Sequence, residues 1–288
     1  MTPTAIKMKR RMCREAMMKG RKILIVVAVI LLVAGIGFLL FPPISNWIGK
    51  MQNDKLSEQF DHKREHIVEH LENDDGDRAD NAEEAQEMDI TDSEGYQIDA
   101  SGHRAYDFPF VFRNDLDRLR KDSEAYNAGL IGQQGTGKNL HYEYSVFDLR
   151  DYGVYDGMYA CLTIPKIDLR LPVYLGADNS IMQYGIGHLY GTSLPLDEKN
   201  TSCALAGHTD YIGRIFFDYI RNLSEGDEVI VRNYWEDIVY HVIDRKVVKE
   251  NQVNDLLIQD GRQLLTLITC IKNDEGGFDR FLVICEKQ

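Results

Sequence analysis

DIVYHVID, residues 237–244, alternates Ile238, Tyr240 and Val242 with Val239, His241 and Ile243, the two-residue period of a β-strand whose faces differ. The same texture surrounds it. Working outward, short runs rich in β-branched and aromatic residues recur as MYACLTI (158–164), LPVYL (171–175), CALAGH (203–208), EVIVRNY (228–234), LLTLITC (264–270) and RFLVICE (280–286), separated by Gly, Pro, Asn and Asp. NLSEGDEVIV (222–231) reads as a turn running into a strand. Seven or eight short strands over residues 156–288 predict a mostly β domain closed into one small barrel, because closure removes exposed sheet edges. IFFDYIRNL (215–223) has helical spacing and predicts a helix over one barrel opening. Upstream, Phe112, Leu116, Leu119, Tyr126 and Leu130 predict a helix that opens the domain, which then spans 112–288.

Before that domain the composition changes twice. Residues 23–41, ILIVVAVILLVAGIGFLLF, carry no charge and as a helix span about 28 Å, close to a ~30 Å hydrocarbon core. Lys7, Lys9, Arg10, Arg11, Arg14, Lys19, Arg21 and Lys22 precede it, so residues 1–22 are expected in the cytoplasm and the rest outside. A cleaved signal would end in small residues, whereas Leu39, Leu40 and Phe41 lead here into Pro42 and Pro43. Residues 42–111 are then an extracellular connector. Leu56, Phe60, Ile67 and Leu71 mark a stalk helix with a narrow apolar stripe, and residues 72–99 hold twelve carboxylates against one Arg, an acidic linker too poor in apolar groups to fold alone. The net charge of -13 and this distribution exclude a polybasic nucleic-acid binder.

Two motif matches fail on context. HIVEH (66–70) fits a zinc-peptidase pattern, but it lies in a highly charged helix without a third ligand. GQQGTGKN (132–139) fits GxxxxGK, yet Asn139 replaces the magnesium-binding hydroxyl, and no buried strand leads into it. Neither a metal nor a cofactor is expected. Five cysteines without paired CxxC spacing argue against a disulfide framework and leave room for a lone reactive thiol.

Cys270 ends the apolar run TLITC, where a strand leaves the sheet. A cysteine there is by default a small hydrophobe, as Cys161, Cys203 and Cys285 are expected to be. Two other strand ends change that reading. AGHTD ends a strand at His208, and Arg280 opens the run RFLV ten residues beyond the cysteine. A thiol, an imidazole and a guanidinium on one barrel face make a nucleophilic site: the imidazole raises the thiolate share of a group titrating near ~8.5, and the guanidinium holds a carbonyl or oxyanion. His188, in GIGHLYG, is the rival base, and a non-catalytic barrel that only binds, or a plain thiol hydrolase, are the rival functions.

TLITC, the upstream AGH and the Arg opening the last strand resemble the signature of the sortases, membrane-anchored cysteine transpeptidases of Gram-positive bacteria, over residues 158–287. IPKIDLRLPVY (164–174), GIGHLYGTSLP (185–195) and EAYNAGL (124–130) resemble most the class C, pilin-polymerising branch. The resemblance implies an eight-stranded β-barrel, with Cys270 as nucleophile, His208 as acid/base, and Arg280 as donor to the substrate or its oxyanion. Thr269 and Thr266 are candidates for substrate or oxyanion support. It also implies an LPxTG-like sorting signal as donor and a pilin lysine or peptidoglycan cross-bridge amine as acceptor. The lid of that branch, an Asp-Pro-aromatic segment after the helix, has no match, since residues 132–155 contain no Pro and Asp107-Phe108-Pro109-Phe110 precede the helix.

Overall fold

A computed structural model describes residues 3–65, 67–68, 111–133, 140–211 and 213–288. The acidic tract, the histidines of HIVEH, residues 107–110 and the GTGK stretch lie outside the described residues. The chain divides into one unit of residues 1–49 with 212–214, and a second of 50–211 with 215–288. Helix α1 (Pro3–Glu65) begins in the first and ends in the second.

In the first unit α1 is long and apolar enough to cross a membrane. Ile30, Leu32, Val33, Phe38 and Leu39 are all exposed around it, a distribution that suits a helix solvated by lipid rather than by water.

The second unit is built on β1 (Met158–Ile164), β2 (Leu169–Leu175), β3 (Ile186–His188), β4 (Thr201–Ala206), β5 (Glu228–Asn233), β6 (Asp237–Val248), β7 (Gln263–Lys272) and β8 (Phe278–Glu286). They close in the order β8-β6-β5-β1-β2-β3-β4-β7, with β7 hydrogen-bonded to β8. Two pairs, β2 with β3 and β4 with β7, are parallel, and the other neighbours run antiparallel. Seven of these strands are the runs read from the sequence. The eighth, β3, is three residues inside the Gly-rich segment, too short to show a period.

Alternation sorts β4, β7 and β8 into two cores. Cys203 and Leu205 of β4, Leu265 and Leu267 of β7, and Val283 and Cys285 of β8 pack in the main core. Their neighbours Ala204, Ala206, Ile268, Leu282 and Ile284 face outward and form a second cluster with Leu189 and Leu256. The barrel thus carries a buried apolar floor on the outside of β4, β7 and β8.

Helix α2 (Arg113–Leu130) buries Leu116, Leu119, Ser123 and Asn127, close to the stripe the sequence predicts. Asn127 fastens it by accepting from Leu194 N at 2.8 Å and donating to Leu194 O at 3.1 Å.

Two expectations change. The helix predicted over 215–223 is a single 3-10 turn, Ile220–Asn222. Asp218 accepts from the backbone N–H of Phe216 at 2.9 Å and of Asp210 at 2.8 Å, local bonds that compete with a helix, while Phe216, Phe217 and Ile220 still fill the core. The end of α1, predicted as a solvated stalk, lies against the barrel with Asn53, Ser57, Phe60 and Lys63 buried. Charge matching holds it: Asp61 accepts from Arg170 at 2.6 Å and Arg232 at 2.9 Å, Arg64 donates to Asp237 at 2.7 Å, and Lys63 pairs with Asp156. Burial lowers the Lys63 ammonium from its ordinary value, opposed by Asp156.

Candidate active site

The outward register of three strands assembles the site. On β7, Ile268 faces the outer cluster, so Cys270, two residues on, faces the same way, where the strand emerges and the thiol is exposed. On β8, Leu282 and Arg280 share that face, and Arg280 is paired directly opposite Cys270. On β4, Ala206 faces outward and pairs with Ile268, so the chain beyond it carries His208 alongside Cys270. The three groups come from segments 62 and 10 residues apart and meet because all stand at even offsets from the same outer face.

Short polar bonds lock the histidine loop to the cysteine strand. Thr209 Oγ1 donates to Cys270 O at 2.9 Å, Thr269 Oγ1 donates to Gly207 O at 2.8 Å, and Gly207 N donates to Ile268 O at 3.0 Å. Beyond His208 the loop returns, its carbonyl accepting from Phe217 N at 2.9 Å. Gly207 is required there: a Cβ would meet the Phe217 ring at 2.8 Å. The His208 ring stacks on Tyr211, with centroids 5.4 Å apart and planes 16° from parallel. Burial lowers its pKa from the usual imidazole value.

Arg280 is 14% exposed and pairs with Glu250, which follows β6. Burial alone would lower the guanidinium, but the Tyr142 hydroxyl, Cys270 and Glu250 together raise it. Tyr142 and Glu250 carry no sequence signal. They reach the arginine only through tertiary folding, Tyr142 on an irregular segment secured by Ala177 N donating to its carbonyl at 2.8 Å.

Two clefts meet at the trio. One, of about 280 Å³, is floored by Ala177, Met182, Ala206 and Ile268. The other, of about 770 Å³, is lined by Thr209, Asp210, Arg221, Lys272 and Phe278, and His208, Glu250, Cys270 and Arg280 form the shared wall.

The remaining candidates separate cleanly. Thr269 is buried and acts on the loop as described, whereas Thr266 lies four residues back from Cys270, fully buried, and lines neither cleft. His188 sits inside β3, buried, with its Nε2 against Ser193 O at 3.0 Å and Thr192 Oγ1 at 3.2 Å; burial pulls it down to about 4. It is therefore a neutral core residue. Burial pushes the thiols of Cys161, Cys203 and Cys285 up, which keeps them protonated and inert. Among the described residues, no three His, Cys, Asp or Glu side chains converge as a metal site.

Known proteins share this fold. A family model described as a sortase domain matches residues 162–288. The crystal structure of sortase C-1 from Actinomyces oris is 32% identical, with 98% of its length and 61% of this chain covered at a TM-score of 0.51. The chain belongs to the sortase family. Sortase C1 of Streptococcus agalactiae, solved as a complex with MTSET, is 26% identical to this sortase and covers 61% of it at a TM-score of 0.54, with 91% of that structure covered. Sortase D of Bacillus subtilis (strain 168) is 28% identical over 109 residues, so this sortase spans about half of that relative, 52%, and 38% of its own length. Within the family it is most like the class C enzymes.

Proposed function

We propose that this sortase is a cysteine transpeptidase that cleaves an LPxTG-like sorting signal and passes the acyl group to an amine, either a pilin lysine or a peptidoglycan cross-bridge. The observation that carries this reading is the exposed Cys270 thiol opposite Arg280 and beside His208, where two clefts meet. A hydrolase needs room for the acyl group and for water; two clefts on one thiol suit a donor and an acceptor.

Burial leaves His208 predominantly neutral at neutral pH, so it is free to take the thiol proton. Cys270 Sγ attacks the carbonyl carbon of the Thr–Gly bond, and the charge developing on the oxygen is met by the Arg280 guanidinium, which cannot donate its proton away. His208, now an imidazolium, returns the proton to the leaving glycine amine as the C–N bond breaks. A thioester remains. The incoming amine attacks it, His208 removes the amine's extra proton, and the thiolate leaves and is reprotonated by the same imidazole. The apolar floor at Ala177, Met182, Ala206 and Ile268 suits the Leu-Pro part of the signal. The resemblance to a pilus-related sortase C of group B Streptococcus favours a pilin acceptor.

Helix α1 serves as a single-pass anchor with residues 1–22 in the cytoplasm and the catalytic unit outside the cell. Protease added to intact cells then removes the catalytic unit and spares the basic tail; the opposite protection would reverse the orientation. Chemistry is tested with the full chain in detergent and an LPxTG-type peptide. A Cys270 adduct that passes to a supplied amine is the expected result. Release to water alone, unaffected by amine, would reduce the enzyme to a hydrolase, and no adduct with any sorting peptide would leave only a binding barrel.

A further inference from the structure

The loop after β4 holds the backbone of His208 on both sides, but among the described residues no hydrogen bond fixes the imidazole ring. What the ring does meet is Tyr211, three residues on, stacked with its plane 16° from parallel and centroids 5.4 Å apart. Tyr211 is itself braced edge-on by Phe216, their centroids 5.6 Å apart, and Phe216 is fully buried. The brace runs from the core, through Phe216 and Tyr211, to the imidazole.

The charges around His208 come from several elements. Cys270 faces it from β7, Arg280 from β8, Glu250 from the β6–β7 loop and Asp210 from its own loop. Tyr142, Glu143 and Asp178 close the smaller cleft, and Arg221 and Lys272 the larger. These are of both signs, and among the described residues no carboxylate forms an ion pair with the imidazole. Burial acts against its charged form. The proposed reaction nevertheless passes through that form in both half-cycles. An aromatic face within ~6 Å of a cation attracts it through the negative face of the ring quadrupole.

We propose that Tyr211 is the positioning residue for His208: its ring sets the plane in which the imidazole approaches Cys270 and steadies the imidazolium that forms there. The inference rests on His208 being the acid/base of the proposed reaction, yet its physical part can be read without turnover. The Tyr211 hydroxyl has no part in it; the ring face does the work, so Phe is a sufficient replacement and an aliphatic side chain is not.

The test is an NMR pH titration of ¹³C-labelled histidine in the full chain in detergent, with His208 assigned through His208→Gln. Tyr211→Leu is expected to lower the His208 midpoint by roughly half a pH unit, Tyr211→Phe to leave it in place, and Tyr211→Trp, the strongest cation-binding face, to raise it. In the transfer assay, Tyr211→Leu shifts the histidine-dependent limb of the kcat/KM profile by the same amount, and Phe restores it. A His208 midpoint unmoved in both Tyr211→Leu and Tyr211→Trp would overturn the proposal; should Tyr211→Leu fail to fold, an unmoved Trp variant overturns it alone. A chain without transfer activity whose His208 midpoint still moves would defeat the transpeptidase reading and leave the Tyr211 contact standing.

Discussion

Cys203 and Cys270 stand on adjacent parallel strands, β4 and β7, and differ in every property that matters to chemistry. Cys203 points into the barrel and is buried, its thiol pushed far up by the loss of water; Cys270 points outward past the end of the apolar floor and is exposed. His188 and His208 repeat the contrast. One is sealed in β3, the other is half-buried on a loop at the cleft. The same residue types stand in the core or at the proposed site according to the parity of their position along a strand and whether the chain has reached solvent there.

The sharpest way to break that comparison is to exchange the two thiols' fates. Cys270→Ala is expected to reduce transfer by about 10³-fold or more, while Cys203→Ala leaves turnover at the wild-type level in the same peptide assay. Comparable loss in both would mean that the inner thiol takes part in catalysis.

The two histidines give a pH test of somewhat smaller size. His188 is held near 4 by burial, below the ~6.5 of an unfolded histidine, so between those values the unfolded chain binds a proton that the folded chain refuses. Stability from this group is therefore complete above about pH 6.5 and falls as pH drops toward 4, by roughly 3 kcal/mol in all. Thermal denaturation at pH 7.5 and pH 4.5 reads it, against a His188→Gln chain in which this component disappears. A His188→Gln chain with the same acid sensitivity as the native one would contradict the buried-neutral assignment.

The smallest expected effect is at Arg280. Arg280→Lys keeps a positive charge opposite Cys270 but loses the planar fork, and kcat/KM should fall about 10²-fold, with less change in KM than in kcat. A lysine variant at native activity would show that charge alone suffices at this outer face.

Much of this was legible in the chain. The period-two runs carry seven strands, and the ends of the apolar runs mark Cys270, His208 and Arg280 as a set. Three parts were not. Strand β3 is too short to display a period, and its histidine sits among glycines that look like a loop. Residues 215–223 have a helical apolar spacing, but Asp218 spends its carboxylate on two backbone N–H groups and the segment turns instead. The end of α1 reads as a solvated face because Asp61, Lys63 and Arg64 are charged, and only the barrel supplies the Arg170, Arg232, Asp156 and Asp237 that neutralise them.

Local alternation and run-end chemistry are properties of neighbouring residues, so the sequence alone determined the β texture, the long apolar helix and the identity of the thiol, imidazole and guanidinium. Tertiary folding decided what surrounds them. Which side of the barrel they share, the Tyr142 and Glu250 contacts on Arg280, and the burial that makes His188 inert all depend on residues far apart in the chain being brought together. Desolvation and pairing energies exist only once those neighbours are in place.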